Sequence, residues 1–307
     1  MRHVLKIKSV SVNDCLKDEC ILKLYAQQEK KTMKKAGYQG DHGTFSEIAA
    51  RTWFHTEEIE NIGYPNFVSI MEDIESRKLD YAVLPVENTT TGIIARTYDL
   101  FQNYHMWAIG EINVPINHNL IAFSDTKVEE IRKVYSHPEA LSQCTDFFAK
   151  YPDIQQVPYQ DTAKSVEFVK ESNDHTLAAL GSWRAAEYYD MKILAENVQN
   201  TSNNMTRFLV IQRDEEPASK EADKVSLMCV LKHTPGSLYN ALGILAKRGI
   251  NIVKLESRPI AGHLFDYMFY IDISGNLKNK DVKAAMKELE LKCVRFRIFG
   301  NYKSAGI

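Results

Sequence analysis

Tyr81-Ala82-Val83-Leu84-Pro85-Val86-Glu87-Asn88-Thr89-Thr90-Thr91-Gly92 opens as a near-continuous apolar run and closes as a polar turn. A strand covered on both faces reads this way, as in a parallel sheet flanked by helices. A helix is expected after the turn, through Phe101. In open α/β sheets ligands sit beyond the carboxyl ends of the strands, and Glu87 and Asn88 occupy that position. Any of Asn88 to Thr91 can also cap the following helix by accepting its first free N–H groups, and the two roles are compatible.

Upstream, Ala36 begins a short strand that ends in Gly37-Tyr38-Gln39-Gly40. Asp41-His42-Gly43-Thr44 makes a turn, and a helix runs from about Thr44 to Phe54 with Phe45, Ile48, Ala49 and Trp53 on one face. The two glycines bring free backbone N–H groups near a ligand anion, although the spacing is not that of a dinucleotide site. His42 reads as a solvated turn histidine or as a catalytic one. Downstream, strands are expected at His118 to Phe123, Val134 to Ser136 and Leu177 to Leu180. Between them lie helices at Ala140 to Lys150 and Asp161 to Glu171, with another at Ser182 to Tyr189. Pro138 suits a first helical turn, and Gln143 falls early in that helix, facing the same crevice as Asn88. Asn203-Asn204-Met205-Thr206-Arg207-Phe208-Leu209-Val210-Ile211 joins a polar half to a buried strand. Thr206 and Arg207 stand at its mouth, a hydroxyl beside a guanidinium able to grip a carboxylate. This order predicts two α/β lobes with a cleft between them.

Residues 214–222 form a polar linker, and residues 223–307 a second unit. Strands are expected at Val225 to Leu231, Ile250 to Arg258, Phe265 to Ile273 and Cys293 to Phe299. Thr234-Pro235-Gly236-Ser237 starts a helix closed by Gly249, and Lys280 to Leu289 is a second helix. The order βαββαβ is that of a ferredoxin-like sandwich.

The chain has 307 residues, 44% hydrophobic and 25% charged, an ordinary globular composition with room for two or three domains. A formal charge of −2 supplies no basic face for nucleic acid. No apolar run reaches the ~18 residues of a membrane helix. Five scattered cysteines, Cys15, Cys20, Cys144, Cys229 and Cys293, suggest reduced thiols and a cytoplasmic protein rather than a disulfide framework or a zinc site. Residues 1–34 share no pattern with the rest, lack a secretory leader and are expected to be a weakly packed extension; Met33-Lys34-Lys35 resembles a protein start.

The segments Tyr38-Gln-Gly-x-x-Gly-Thr-Phe-Ser-Glu, Pro85-Val-Glu-Asn-Thr-x-x-Gly92, Ser136-His-Pro-Glu-Ala-Leu-Ser-Gln-Cys144 and Asn204-Met-Thr-Arg-Phe208, with Gly236-Ser-Leu and Glu256-Ser-Arg-Pro259 beyond the linker, carry a resemblance. Over about residues 36 to 302 the chain resembles prephenate dehydratase with a C-terminal ACT regulatory domain. It departs from the family in Thr89, where Ser is usual, in Ser237, where Ala is usual, and in its unmatched first 34 residues.

The resemblance implies a two-lobed, periplasmic-binding-protein-like catalytic domain over residues 35–213. It implies decarboxylating dehydration of prephenate to phenylpyruvate, driven by aromatisation, with no cofactor and no metal. Thr206 would donate to the leaving hydroxyl. Asn88, Thr89 and Gln143 would hydrogen-bond substrate oxygens, and Glu87 would orient Thr206 or neighbouring amides. Arg207 would anchor a carboxylate or instead brace the loop by pairing with an acidic residue. Thr44, Ser136 and Phe208 complete the expected substrate contacts. Phenylalanine would inhibit by binding at Gly236, Ser237 and Leu238, with Glu256, Ser257, Arg258 and Pro259 contributed by a neighbouring subunit of a homodimer or homotetramer. Arogenate as substrate, or an aromatic-metabolite sensor without turnover, are the alternatives.

Overall fold

The structure, a computed structural model, describes residues 33–260, 262 and 266–306. The expected N-terminal extension lies outside these apart from Met33 and Lys34, as do Cys15 and Cys20. Residues 35–307 form one compact unit. Among the described residues no helix is long and apolar enough to cross a membrane.

The first lobe comprises β1 (Lys34–Gln39), α1 (Phe45–Trp53), β2 (Ile59–Tyr64), α2 (Phe67–Glu75), β3 (Tyr81–Asn88), β4 (Gly92–Ile93), α3 (Ala95–Phe101) and β5 (Trp107–Pro115). Thr44 caps α1 by accepting from the Glu47 amide, as Asn66 caps α2 from Ser69. The chain then enters a second lobe: β6 (Asn119–Ala122), a 3-10 turn (Val128–Glu130), β7 (Lys133–Ser136), α4 (Pro138–Ser142), α5 (Thr145–Phe148), β8 (Gln155–Pro158), α6 (Thr162–Ser172), β9 (Leu177–Gly181), α7 (Trp183–Tyr188) and β10 (Lys192–Ala195). These strands make a five-stranded sheet ordered β10-β6-β9-β7-β8. Then β11 (Met205–Gln212) returns to the first lobe and inserts antiparallel between β5 and β3. Two crossings between the lobes give the two-lobed α/β plan that the sequence predicts.

The single helix expected from Ala140 to Lys150 is instead two, α4 and α5. The Asn200 amide takes the Gln143 carbonyl at 2.7 Å, so the Phe147 amide turns to Cys144 at 3.1 Å and the ladder restarts there.

The last unit is β12 (Lys224–Leu231), α8 (Ser237–Ala246), β13 (Ile252–Pro259), β14 (Tyr267–Ser274), α9 (Lys280–Lys292) and β15 (Cys293–Tyr302), the expected βαββαβ order. Alternation along β12 splits its side chains between two cores. Val225, Leu227 and Cys229 pack with Leu245, Ala285 and Leu289 under α8 and α9. Met228 faces the other way and joins Tyr270 and Phe299 against Tyr98 and Phe101 of α3. This second core belongs equally to the first lobe, through Leu84, Leu209 and Ile211. Strand β15 meets β5 in parallel at Gly300 and Ala108, so one ten-stranded sheet runs β13-β14-β12-β15-β5-β11-β3-β1-β2, with β4 beside β3. A Cβ at Gly300 would stand 2.8 Å from the Ala108 Cβ, so the approach requires glycine.

Candidate active site

Strands β11 and β3 lie in register with Thr206 opposite Asn88 and Arg207 opposite Glu87. Successive side chains of a strand point to opposite faces, so this register creates two separate constellations.

On one face, Asn88 Nδ2 donates to Thr206 Oγ1 at 2.9 Å and to Asn204 Oδ1 at 2.7 Å. The amide orientation is fixed by backbone chemistry: Asn88 Oδ1 accepts from the Thr90 and Thr91 amides at 2.9 and 3.0 Å. Asn204 Nδ2 donates to Gln143 Oε1 at 2.9 Å, and the same oxygen lies 3.1 Å from His118 Nε2. Gln143 Nε2 donates to Glu139 Oε1 at 3.2 Å. A continuous chain of hydrogen bonds therefore crosses from the second lobe (Glu139, Gln143, His118) to the first (Asn88, Thr206). Asn88, Asn204, Thr206 and His118 are all buried. Because Gln143 Oε1 can only accept, the proton of neutral His118 sits on Nε2. Burial pushes the His118 pKa down, opposed by the Gln143 hydrogen bond. Thr206 Oγ1 accepts from Asn88, and its own proton has no acceptor among the described residues. Beside the chain is a cavity of about 200 Å³ bordered by Thr90, Glu139, Gln143, Asn200, Thr201 and Asn204.

On the other face, of the two roles expected for Arg207, carboxylate anchor and brace paired with an acidic residue, its contacts are those of the brace. Its Nη1 lies 3.0 Å from both Glu111 Oε2 and Asp272 Oδ2, and its Nη2 lies 2.8 Å from Glu87 Oε2. Lys254 Nζ adds 3.0 Å to Glu87 and Lys224 Nζ adds 2.5 Å to Glu111. The guanidinium is a brace between β11, β5 and the βαββαβ unit. Burial alone would lower its pKa, but the Asp272 and Glu111 carboxylates outweigh that and raise it. The role expected for Glu87 is corrected: it faces away from Thr206 and cannot orient it. Burial would raise its pKa, and Lys254 and Arg207 overcome this and hold it below the usual carboxylate range.

Four other expected contacts are engaged within the protein. Thr44 uses its hydroxyl in capping, donating to Asp41 O at 2.9 Å and accepting from Glu47 N at 3.3 Å. Ser136 is fully buried and donates to Leu180 O at 2.9 Å. Phe208 is sealed in the core under α1 with Ala49 and Phe54. Thr89 ties its loop to β11, donating to Asn203 O and accepting from Met205 N, both at 2.9 Å. His42 packs at a lobe contact, stacked on Tyr188 at 4.5 Å and 3.3 Å from buried Glu47.

The site also holds residues not singled out in the sequence: Asn204, His118 and Glu139. Asn204 precedes Thr206 by two and so shares its face, and Glu139 precedes Gln143 by four, one helical turn away. His118 carried no such signal.

In the βαββαβ unit, Gly236 adopts φ 80° as the N-cap of α8. Ser237 and Leu238 border a cavity of about 760 Å³ with Pro235, Val230, Tyr267 and Met268. Glu256, Ser257, Arg258 and Pro259 lie along β13, where Ser257, Arg258 and Pro259 stand opposite Phe269, Met268 and Tyr267 of the cavity lining, and Arg258 pairs with Asp99 of the first lobe at 3.0 Å.

A two-lobed fold with a buried chain of amides ending in a hydroxyl is of the class that handles a small polar ligand by directed hydrogen bonds. A family model described as prephenate dehydratase matches residues 36–216, and an ACT domain model matches residues 225–291. The chain is 38% identical over 277 residues to a bifunctional chorismate mutase/prephenate dehydratase of Aquifex aeolicus (strain VF5), covering 88% of this chain and 74% of that protein. It is 33% identical over 278 residues to arogenate dehydratase/prephenate dehydratase 2, chloroplastic, of Arabidopsis thaliana, covering 87% and 72%. Among solved structures, the prephenate dehydratase from Arthrobacter aurescens in complex with L-Phe superposes with a TM-score of 0.80 at 27% identity, covering 88% of this chain and 90% of that one. The chain belongs to the prephenate dehydratase family, with a C-terminal ACT domain.

Proposed function

We propose that this prephenate dehydratase carries out its reaction at the Thr206 hydroxyl, in the cleft between the lobes. The ring carboxylate of prephenate departs as carbon dioxide, its bonding pair moves into the ring, and the ring hydroxyl leaves and takes up a proton as water. Negative charge grows on that leaving oxygen. A hydroxyl held by Asn88 with its proton uncommitted can donate there without reorganising, and this observation carries the assignment. One such preorganised donor is worth roughly 3 kcal/mol. Asn88 holds the donor in place with both of its amide hydrogens committed, and Asn204 and Gln143, each using one amide hydrogen within the chain, have a second to offer substrate oxygens. Neutral His118 fixes Gln143 and contributes no charge. Purified protein incubated with prephenate and then with alkali is expected to show phenylpyruvate absorbance; a flat trace would favour the sensor alternative.

The wider cavity of the ACT domain is proposed as the phenylalanine pocket, with the effector carboxylate on backbone N–H groups at Gly236 to Leu238. The free thiols of Cys144, Cys229 and Cys293 support a cytoplasmic enzyme. A homo-oligomer, dimer or tetramer, is part of the same reading.

A further inference from the structure

The cavity beside Gln143 and Asn204 is lined by amides and hydroxyls, and of its described lining residues only Glu139 is ionisable. Glu139 stands in the first turn of α4. Its Oε1 accepts from Gln143 at 3.2 Å, and its Oε2 has no partner among the described residues. Prephenate enters with two carboxylates and a side-chain ketone, a charge of −2. Arogenate carries the same carboxylates but an ammonium in place of the ketone, a net charge of −1. A carboxylate in a cleft without a lining cation repels the first more than the second, and it offers the second a charge-assisted acceptor.

We propose that, in the catalytic cleft assigned above, Glu139 is a specificity-determining residue that receives the ammonium of arogenate and so admits an amino-acid substrate beside prephenate. The carboxylate is exposed, so water screens it, and the expected discrimination is modest.

The test is the pair of kcat/KM values for L-arogenate (phenylalanine formed) and prephenate (phenylpyruvate formed), in the unsubstituted protein and in Glu139→Gln. Glutamine keeps an acceptor oxygen for Gln143 while removing the charge and replacing the second oxygen with an NH2 donor. The unsubstituted protein is expected to turn over both substrates. Glu139→Gln should lower kcat/KM for arogenate and raise it for prephenate, moving their ratio about tenfold, or about 1.4 kcal/mol. The change should sit in KM. A parallel fall on both substrates would show a purely positioning role and overturn the proposal, as would an unchanged ratio or no turnover of arogenate at all. A protein inert toward both substrates would instead contradict the proposed function, and the assignment of Glu139 with it.

Discussion

Thr206 and Arg207 are neighbours in the chain and strangers in space. Both were legible as chemistry-bearing residues, and so were Asn88 and Glu87. The step missing from a motif-based account is the period of a strand, which gives adjacent residues to opposite faces. Applied to Glu87-Asn88 and Thr206-Arg207, that period allows one member of each pair into the cleft. It does not say which, because the second face is covered by a domain distant in sequence. His118 was legible only as the start of a strand. Its isolation matters for stability. The folded protein holds it below its ordinary pKa, so below about pH 6.5 the unfolded chain binds a proton that the folded chain refuses. Stability therefore falls as pH falls through that region. Thermal midpoints measured at pH 7 and 5.5 should drop less in His118→Asn than in the unsubstituted protein; equal drops would mean the imidazole is not held neutral.

At the scale of elements, strands β1, β3, β7, β9 and β11 follow directly from apolar runs bounded by turn residues, and α1 from the apolar face of Phe45, Ile48, Ala49 and Trp53. The break between α4 and α5 does not, since its cause is a single amide from residue 200, far along the chain. Where the Arg207 side chain of β11 reaches β5 and β14, the arrangement was equally hidden, because ion pairs between strands of different domains leave no local pattern. Arg207 joins Glu87, Glu111 and Asp272 there. Removing one partner from a buried charge cluster strands the others, at about 3–5 kcal/mol. Arg207→Met is expected to lower stability to denaturant by that order, while the KM for prephenate of the folded protein changes less than about twofold, since the side chain does not reach the cleft. A large rise in KM with stability intact would restore Arg207 as a substrate anchor.

For the whole molecule, the division into two lobes and a βαββαβ unit was readable from element order, and the sharing of a core was not. Tyr98, Phe101, Tyr270 and Phe299 belong to domains that look independent in sequence, yet they pack in one cluster. Strand β11 and the ACT-domain strand β14 are therefore joined through both that cluster and Arg207, which is the physical setting for a ligand at one site to bias another. Phenylalanine should raise the thermal midpoint, since at 100 times Kd a ligand adds about 2.7 kcal/mol to the folded state. Ser237→Asp, which sets a carboxylate against that of the effector, should abolish both the shift and the inhibition; a shift that survives would place the effector elsewhere. The hydrogen-bond chain that crosses between the two lobes, in turn, ends at one hydroxyl. The most direct measurement is kcat for prephenate in Thr206→Ala beside Thr206→Ser, with circular dichroism to verify the fold. Alanine is expected to lower kcat about 10²- to 10³-fold and serine to restore most of it. An alanine variant that turns over at the unsubstituted rate would contradict the account.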